Sequence, residues 1–228
     1  MKYNPTSKEE LQKLVDDLSI NLGDIDTSKI IDMSYLFCYT SRTDFSGIEK
    51  WNVSKVERMY AMFFGAKAFN QPIGDWDVSN VWDMGGMFAR AISFNQDIGK
   101  WNVSNVKDMA CMFEDATSFN QDISGWDVGN VTNMFAMFYE ATSFNQPIND
   151  WDVSKVESMA WMFSGAESFN ADISGWDVSG VKYMSNMFNG AISFNQDISK
   201  WDVSKVESID DETKDLIYNN HNNVRTMQ

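Results

Sequence analysis

Reactive chemistry in this sequence has few residues to start from. His221 is the single histidine, and Cys38 and Cys111 are the only cysteines. One histidine and two cysteines fall short of a conventional zinc site, and neither cysteine sits in a CxxC or other ligand spacing. A Ser-His-Asp triad would have to recruit His221 from near the C-terminus. Carboxylates are more numerous and recur in columns. Asp77, Asp127, Asp152, Asp177 and Asp202 form one column, interleaved with Asn52 and Asn102, and Asp97, Asp122, Asp172 and Asp197 form another, interleaved with Pro72 and Pro147. Carboxylates repeated on successive coils are the raw material of a calcium ladder. The exchange of Asp with Asn points instead to a short side-chain oxygen that accepts a backbone N–H in a turn. Proline, with no ligand atom in its side chain, leaves holes in the second column. The expectation is therefore no metal, no cofactor and no enzyme.

These columns exist because the chain is a repeat. Trp51, Trp76, Trp101, Trp126, Trp151, Trp176 and Trp201 stand 25 residues apart, a period characteristic of stacked-repeat architectures. Counting each Trp as zero, Val falls at +2 and +5, Met at +8 and +11, Phe at +12 and +18, Ala at +15, Asn at +19 and Ile at +22. Six units run without insertion from 51 to 200. A degenerate unit, 25–50, precedes them, and an eighth begins at Trp201 and departs after Ile209. Twelve of the 15 methionines lie at +8 and +11 of the regular units, so they read as core and not as metal ligands or oxidation sensors.

The positions +5, +8, +11, +12 and +15 are spaced like one face of a helix. Ser at +3 reads as an N-cap, except where Gly129 replaces it, and Ser54–Glu57, Ser154–Glu157 and Ser204–Glu207 read as capping boxes. This spacing predicts a short helix from +4 to +14 in each coil, followed by an extended segment. The fold class expected is α/β: a leucine-rich-repeat-like solenoid of about seven 25-residue coils, each a short helix plus a short extended segment, with helical caps. Its divisions would be an N-terminal helical cap at 1–24, the solenoid at 25–209, and a C-terminal cap helix and tail at 210–228. In the first cap, Thr6 or Ser7 starts a helix with Leu11, Leu14, Val15 and Leu18 on one face. In the last, Val206, Ile209, Leu216 and Ile217 keep helical spacing. The Asn column at +19 reads as an asparagine ladder bonding the turn and the next coil. With coils stacked about 5 Å apart, Cys38 and Cys111 lie three coils apart, too far for a disulfide.

The unit FNQDISGWDV, with its recurring Met, Met-Phe and SFNQ, resembles the bacterial surface-protein repeat of the BspA-like leucine-rich-repeat group. That repeat is known as a domain of unknown function in surface lipoproteins. The lead-in NPTSKEELQKLV and then DIDTSKIIDMSYLF is similar to the family's usual opening. The resemblance covers roughly residues 5–209. It implies a leucine-rich-repeat-like solenoid, a surface, adhesin or interaction role, and no catalytic residue. It also implies a secreted or cell-surface location. The opening MKYNPTSKEELQ lacks a basic region followed by an apolar one, so Met1 as native start would mean the cytoplasm.

Columns repeated in every coil do structural work, so specificity should lie where residues vary and face outward. On the helical reading, +6, +9, +10 and +13 face away from the core. Aromatics occupy some of them: Tyr60, Phe64 and Trp82 in one region, and Phe135, Tyr139 and Trp161 in another. Exposed aromatics of this kind are the usual anchors of binding surfaces. The competing site is the extended side, with its Asp97, Asp122, Asp172 and Asp197. Net charge is −15, from 33 Asp and Glu against 18 Lys and Arg, which disfavours nucleic acid and favours a basic partner. No run of 18 apolar residues exists, so no membrane insertion is expected. The function expected is a non-enzymatic repeat scaffold that binds a macromolecule, a protein above all and one that is basic or host-derived, in the manner of a surface adhesin. The alternative is a cytoplasmic inhibitor or immunity-type protein that neutralises a basic partner.

Overall fold

The computed structural model describes residues 2–218; His221 and the tail segment 221–228 lie outside them. The chain winds into coils stacked in register, 25 residues per turn. Successive coils meet through one parallel β-bridge each, from Asp32–Arg58 through Arg58–Asp83 and onward to Tyr183–Ser208. Every bridge residue from Arg58 onward occupies position +7.

The coils contain neither the expected helices nor any strand, which overturns the α/β solenoid. Among the described residues the helices are α1 (Lys8–Asp16), α2 (Asp211–Tyr218) and two short 3₁₀ turns at Leu22–Asp24 and Ile48–Lys50. From +8 to +15 the backbone runs as linked turns. Met62 N–H donates to Met59 O, Phe64 N–H to Ala61 O and Ala66 N–H to Phe63 O. The intervening N–H groups leave the coil altogether. Met59, Ala61, Phe63 and Gly65 donate to Asp83, Gly85, Met87 and Ala89 of the next coil at 2.7–2.9 Å. A helix needs consecutive right-handed residues, and this alternation excludes it. Position +10 is left-handed in every regular coil, from Ala61 at φ 51° to Trp161 at φ 62°, and so is +14, from Arg90 at φ 59° to Glu140 at φ 54°. A non-glycine residue loses roughly 1–2 kcal/mol in that conformation, and the bonds to the next coil offset it.

Linked turns bring about every third residue inward, so they bury the same side chains a helix would have. Val56, Met59, Met62, Phe63, Ala66, Phe69 and Ile73 are all buried, and their counterparts in each coil repeat the pattern. Phe63 stacks on Phe69 within its coil at 3.7 Å and on Phe88 of the next at 5.7 Å. Trp126, Trp151, Trp176 and Trp201 stack at 6.4–6.5 Å. Each tryptophan of the repeated column also donates its indole N–H to a carbonyl 28 or 29 residues earlier, as Trp126 does to Ile98 O at 3.0 Å.

The Ser column at +3 does not cap helices. Its backbone N–H donates to the +1 side chain, as Ser79 does to Asp77 Oδ1 at 3.1 Å, and Gly129 does the same to Asp127. The glutamates assigned to capping boxes, Glu57, Glu157 and Glu207, face outward. At +19 the ladder is present: Asn95 N–H donates to Asn70 Oδ1 at 2.9 Å, and Asn120, Asn145, Asn170 and Asn195 continue it.

One apolar core runs from Leu11 in α1 to Ile217 in α2. Ser7 caps α1 by accepting from Glu10 N–H; Leu11 and Val15 are buried, whereas Leu18 is exposed. Arg42 closes this end. Its buried guanidinium donates to the carbonyls of Val15, Asp17, Ile20 and Asp44. At the other end Asp210 accepts from the Thr213 hydroxyl at 2.7 Å and from Asn186 N–H, tying α2 to the last full coil.

Candidate binding face

Residue variation from coil to coil is widest at +6, +7, +9, +10, +13, +14 and +16. Position +9, for example, reads Tyr60, Gly85, Ala110, Phe135, Ala160 and Ser185. The first six of these positions lie on the outer side of the linked turns, so the variable residues share one face. The parallel ladder positions them, because it holds equivalent residues of successive coils side by side.

Of the six aromatics singled out by sequence, Tyr60, Trp82, Phe135 and Trp161 are exposed, at 37–41%, while Phe64 and Tyr139 are half-buried. Tyr139 and Trp161 meet edge to face at 5.9 Å. Three of the other four are joined to residues that sequence reasoning passed over. Tyr60 packs on Tyr35 at 5.2 Å and Phe64 on Tyr39 at 5.0 Å, and Trp82 lies beneath the Arg58 guanidinium at 5.7 Å. Tyr35, Tyr39 and Tyr183 are exposed aromatics of the same face. They were missed because only +6, +9, +10 and +13 were read as outward, although at 100° per residue +7 and +14 turn as far from the core as +13 and +6, and because the 25–50 unit is degenerate.

Charge on the face is arranged in clusters. Arg58 lies 3.8 Å from Asp32 and 3.6 Å from Asp83, and Arg90 lies 3.5 Å from Glu114 and 3.4 Å from Asp115. Burial, with help from the neighbouring Asp108, raises the Asp83 pKa. Burial and a hydrogen bond with Glu114 push the Cys111 thiol up to about 12, which leaves it protonated and poorly nucleophilic at neutral pH. Cys38 and Cys111 are both free.

The acidic columns off this face are occupied by backbone. Asp97, Asp122, Asp172 and Asp197 accept from the N–H two residues on, as Asp122 does from Ser124 at 2.9 Å. Among the described residues no group of three His, Cys, Asp or Glu is placed to hold a metal ion, and no helix is long and apolar enough to cross a membrane.

These turn bonds make stability depend on acid. Hydrogen bonds from Ser154, Ser179 and Ser204 lower the pKa values of Asp152, Asp177 and Asp202. A group whose pKa is depressed by folding contributes stability above its unfolded value, about 3.9 for Asp, and loses it as pH falls through the folded value. Urea midpoints should therefore drop as pH falls below about 4. A D152N/D177N/D202N variant keeps the accepting oxygen, as Asn52 and Asn102 do, and should show a shallower drop. An unchanged slope would assign the acid sensitivity elsewhere.

No curated protein and no solved structure matches the chain. One family does, and it matches twice, over residues 8–124 and 117–225, in keeping with the internal repetition. The two matches together span nearly the whole sequence, and the chain thus belongs to the bacterial repeat family described as Mycoplasma protein of unknown function, DUF285.

Proposed function

We propose that the protein is a non-enzymatic scaffold that binds a protein partner through the variable face. The observation that carries this reading is the placement of coil-to-coil variation. Columns that build the core and its turns repeat, whereas the six outward columns differ in size, charge and aromaticity from one coil to the next. Stacked repeats offer long continuous surfaces of this kind, and exposed Tyr and Trp supply apolar anchors. Net charge of −15 would steer a basic partner toward it. A surface, adhesin-like role with a host-derived partner follows from the resemblance to BspA-like surface repeats. The same charge favours a second reading, a cytoplasmic neutraliser of a basic toxin or nuclease. A leader encoded upstream of Met1 would separate the two.

The test is the affinity of the captured partner for a Trp82→Ala, Trp161→Ala double variant, with the unfolding midpoint recorded alongside. The expected loss exceeds tenfold, roughly 1.4 kcal/mol. A smaller loss in a folded variant rejects this face.

A further inference from the structure

On the N-terminal half of the face, the chain's own cations cover its aromatics. Lys8 lies 5.8 Å from the Tyr35 ring centre and 3.8 Å from Asp32. Arg58 lies over Trp82 and between Asp32 and Asp83. Arg90 lies 5.6 Å over Phe64 and beside Glu114 and Asp115. Each cluster is a cation, an aromatic ring and at least one carboxylate.

In the C-terminal half exposed rings recur but the clusters do not: the positions of the carboxylates Asp83, Glu114 and Asp115 hold Tyr183, Asn189 and Gly190. Four coils on, Arg58, Trp82 and Asp83 correspond to Ser158, Lys182 and Tyr183, so a lysine stands where the covered ring stood. The residue related to Tyr139 as Arg90 is to Phe64 is Gly165. Among the described residues, no lysine or arginine lies over Phe135, Tyr139, Trp161 or Tyr183. An open depression of about 510 Å³ lies here instead, lined by Thr132, Asn133, Phe135, Glu157, Ser158 and Tyr183. Phe135 and Tyr183 are both exposed and stand two coils apart, about 10 Å by the spacing of parallel ladders.

We propose that this depression receives an arginine side chain of a basic protein partner, its guanidinium between Phe135 and Tyr183 and donating to the Glu157 carboxylate. This deepens the reading of the face as a protein-binding surface and rests on it. Arginine fits better than lysine because its flat, weakly hydrated guanidinium stacks on rings while its fork reaches several acceptors. The acceptors are Glu157, the hydroxyls of Thr132 and Ser158, and the second lone pair of Asn133 Oδ1, which already accepts from Phe135 N–H at 3.1 Å. Lys182 already donates to Glu157 at 2.8 Å. A carboxylate has room for a second donor, and an exposed lysine pair is too weak to compete strongly. The partner's arginine thus supplies a cation over rings that no lysine or arginine among the described residues covers.

The probe is an end-blocked six-residue peptide of alternating glycine and arginine, titrated calorimetrically into the full chain at about 150 mM salt, where long-range charge effects are screened. Phe135→Ala with Tyr183→Ala should lower affinity at least tenfold. Ser158→Arg, which refills the depression from within and leaves both rings in place, should lower it by a similar factor. Asp177→Asn changes net charge by the same one unit as Glu157→Gln but lies in a remote turn. It should change affinity less than about twofold, and Glu157→Gln about fivefold or more. The lysine version of the peptide should bind about fivefold more weakly. Equal effects of Glu157→Gln and Asp177→Asn, or equal binding of the two peptides, would mean attraction by net charge alone and overturn the proposal. An unaltered affinity in Ser158→Arg would also overturn it. If the peptide arms fail while the Trp82, Trp161 double variant still loses its partner, the arginine seat falls and the wider reading of the face stands.

Discussion

Trp126→Ala should destabilise the protein by about 3–5 kcal/mol, whereas Trp82→Ala should cost under about 1 kcal/mol. Trp126 is 3% exposed and packs on Trp151 at 6.4 Å and Phe113 at 6.3 Å. Truncation leaves a cavity in the middle of the stack and also deprives Ile98 O of the indole donor. A stacked array is held by contacts between neighbouring coils, so a lesion in this coil weakens the interfaces on both of its sides. Trp82 is 41% exposed, and its removal forfeits mainly the Arg58 contact, worth about 0.5–1 kcal/mol at an exposed site. Urea titration of the two variants decides the matter. Equal costs would mean that core and outer face have been exchanged.

Arg42→Met should cost about 3 kcal/mol and should loosen α1 before anything else. The guanidinium is buried at 5% exposure and reaches four carbonyls, with Asp17 O closest at 2.8 Å. Val15 O and Asp17 O lie at the C-terminal end of α1, where helix carbonyls lack partners of their own. Hydrogen bonds from a charged donor contribute roughly 1.5–3 kcal/mol each in mutational series, though less than additively. Burial lowers the Arg42 pKa, and Asp44, Asp17 and Asp16 oppose that shift. Methionine keeps the aliphatic stem and removes the donors, which isolates the polar contribution. Hydrogen exchange is the measurement: α1 amides should exchange about 100-fold faster while amides near Trp126 are unaffected. Uniform acceleration along the chain would show that Arg42 does not act as a local clasp. Arg42→Lys should not restore protection, because one ammonium cannot span four carbonyls.

Arg42 had no signal in the sequence. It sits in the degenerate 25–50 unit, outside every repeated column, and its partners lie 22–27 residues earlier in the chain, apart from Asp44 O. The face was partly legible. Tyr60, Phe64, Trp82, Phe135, Tyr139 and Trp161 were found as aromatics that break a repeated pattern. Their companions at +7 and +14 were lost because only +6, +9, +10 and +13 were read as outward, although a helix would turn +7 and +14 just as far from its core.

The sequence by itself determined the period, the inward columns of Trp, Val, Met, Phe and Ile, the Asn ladder and the turn-forming Asp at +1. Each of these depends on a residue type recurring at one place in every coil. The backbone between +4 and +14 was decided only by the tertiary structure. A helix and a run of linked turns both return nearly every third residue to the core, so burial cannot tell them apart. What distinguishes them is the destination of alternate N–H groups, such as those of Met59, Ala61, Phe63 and Gly65. In a helix those groups would stay within the segment. Here their acceptors are carbonyls of the next coil, 24 residues away in the chain, which come within reach only once the coils have stacked.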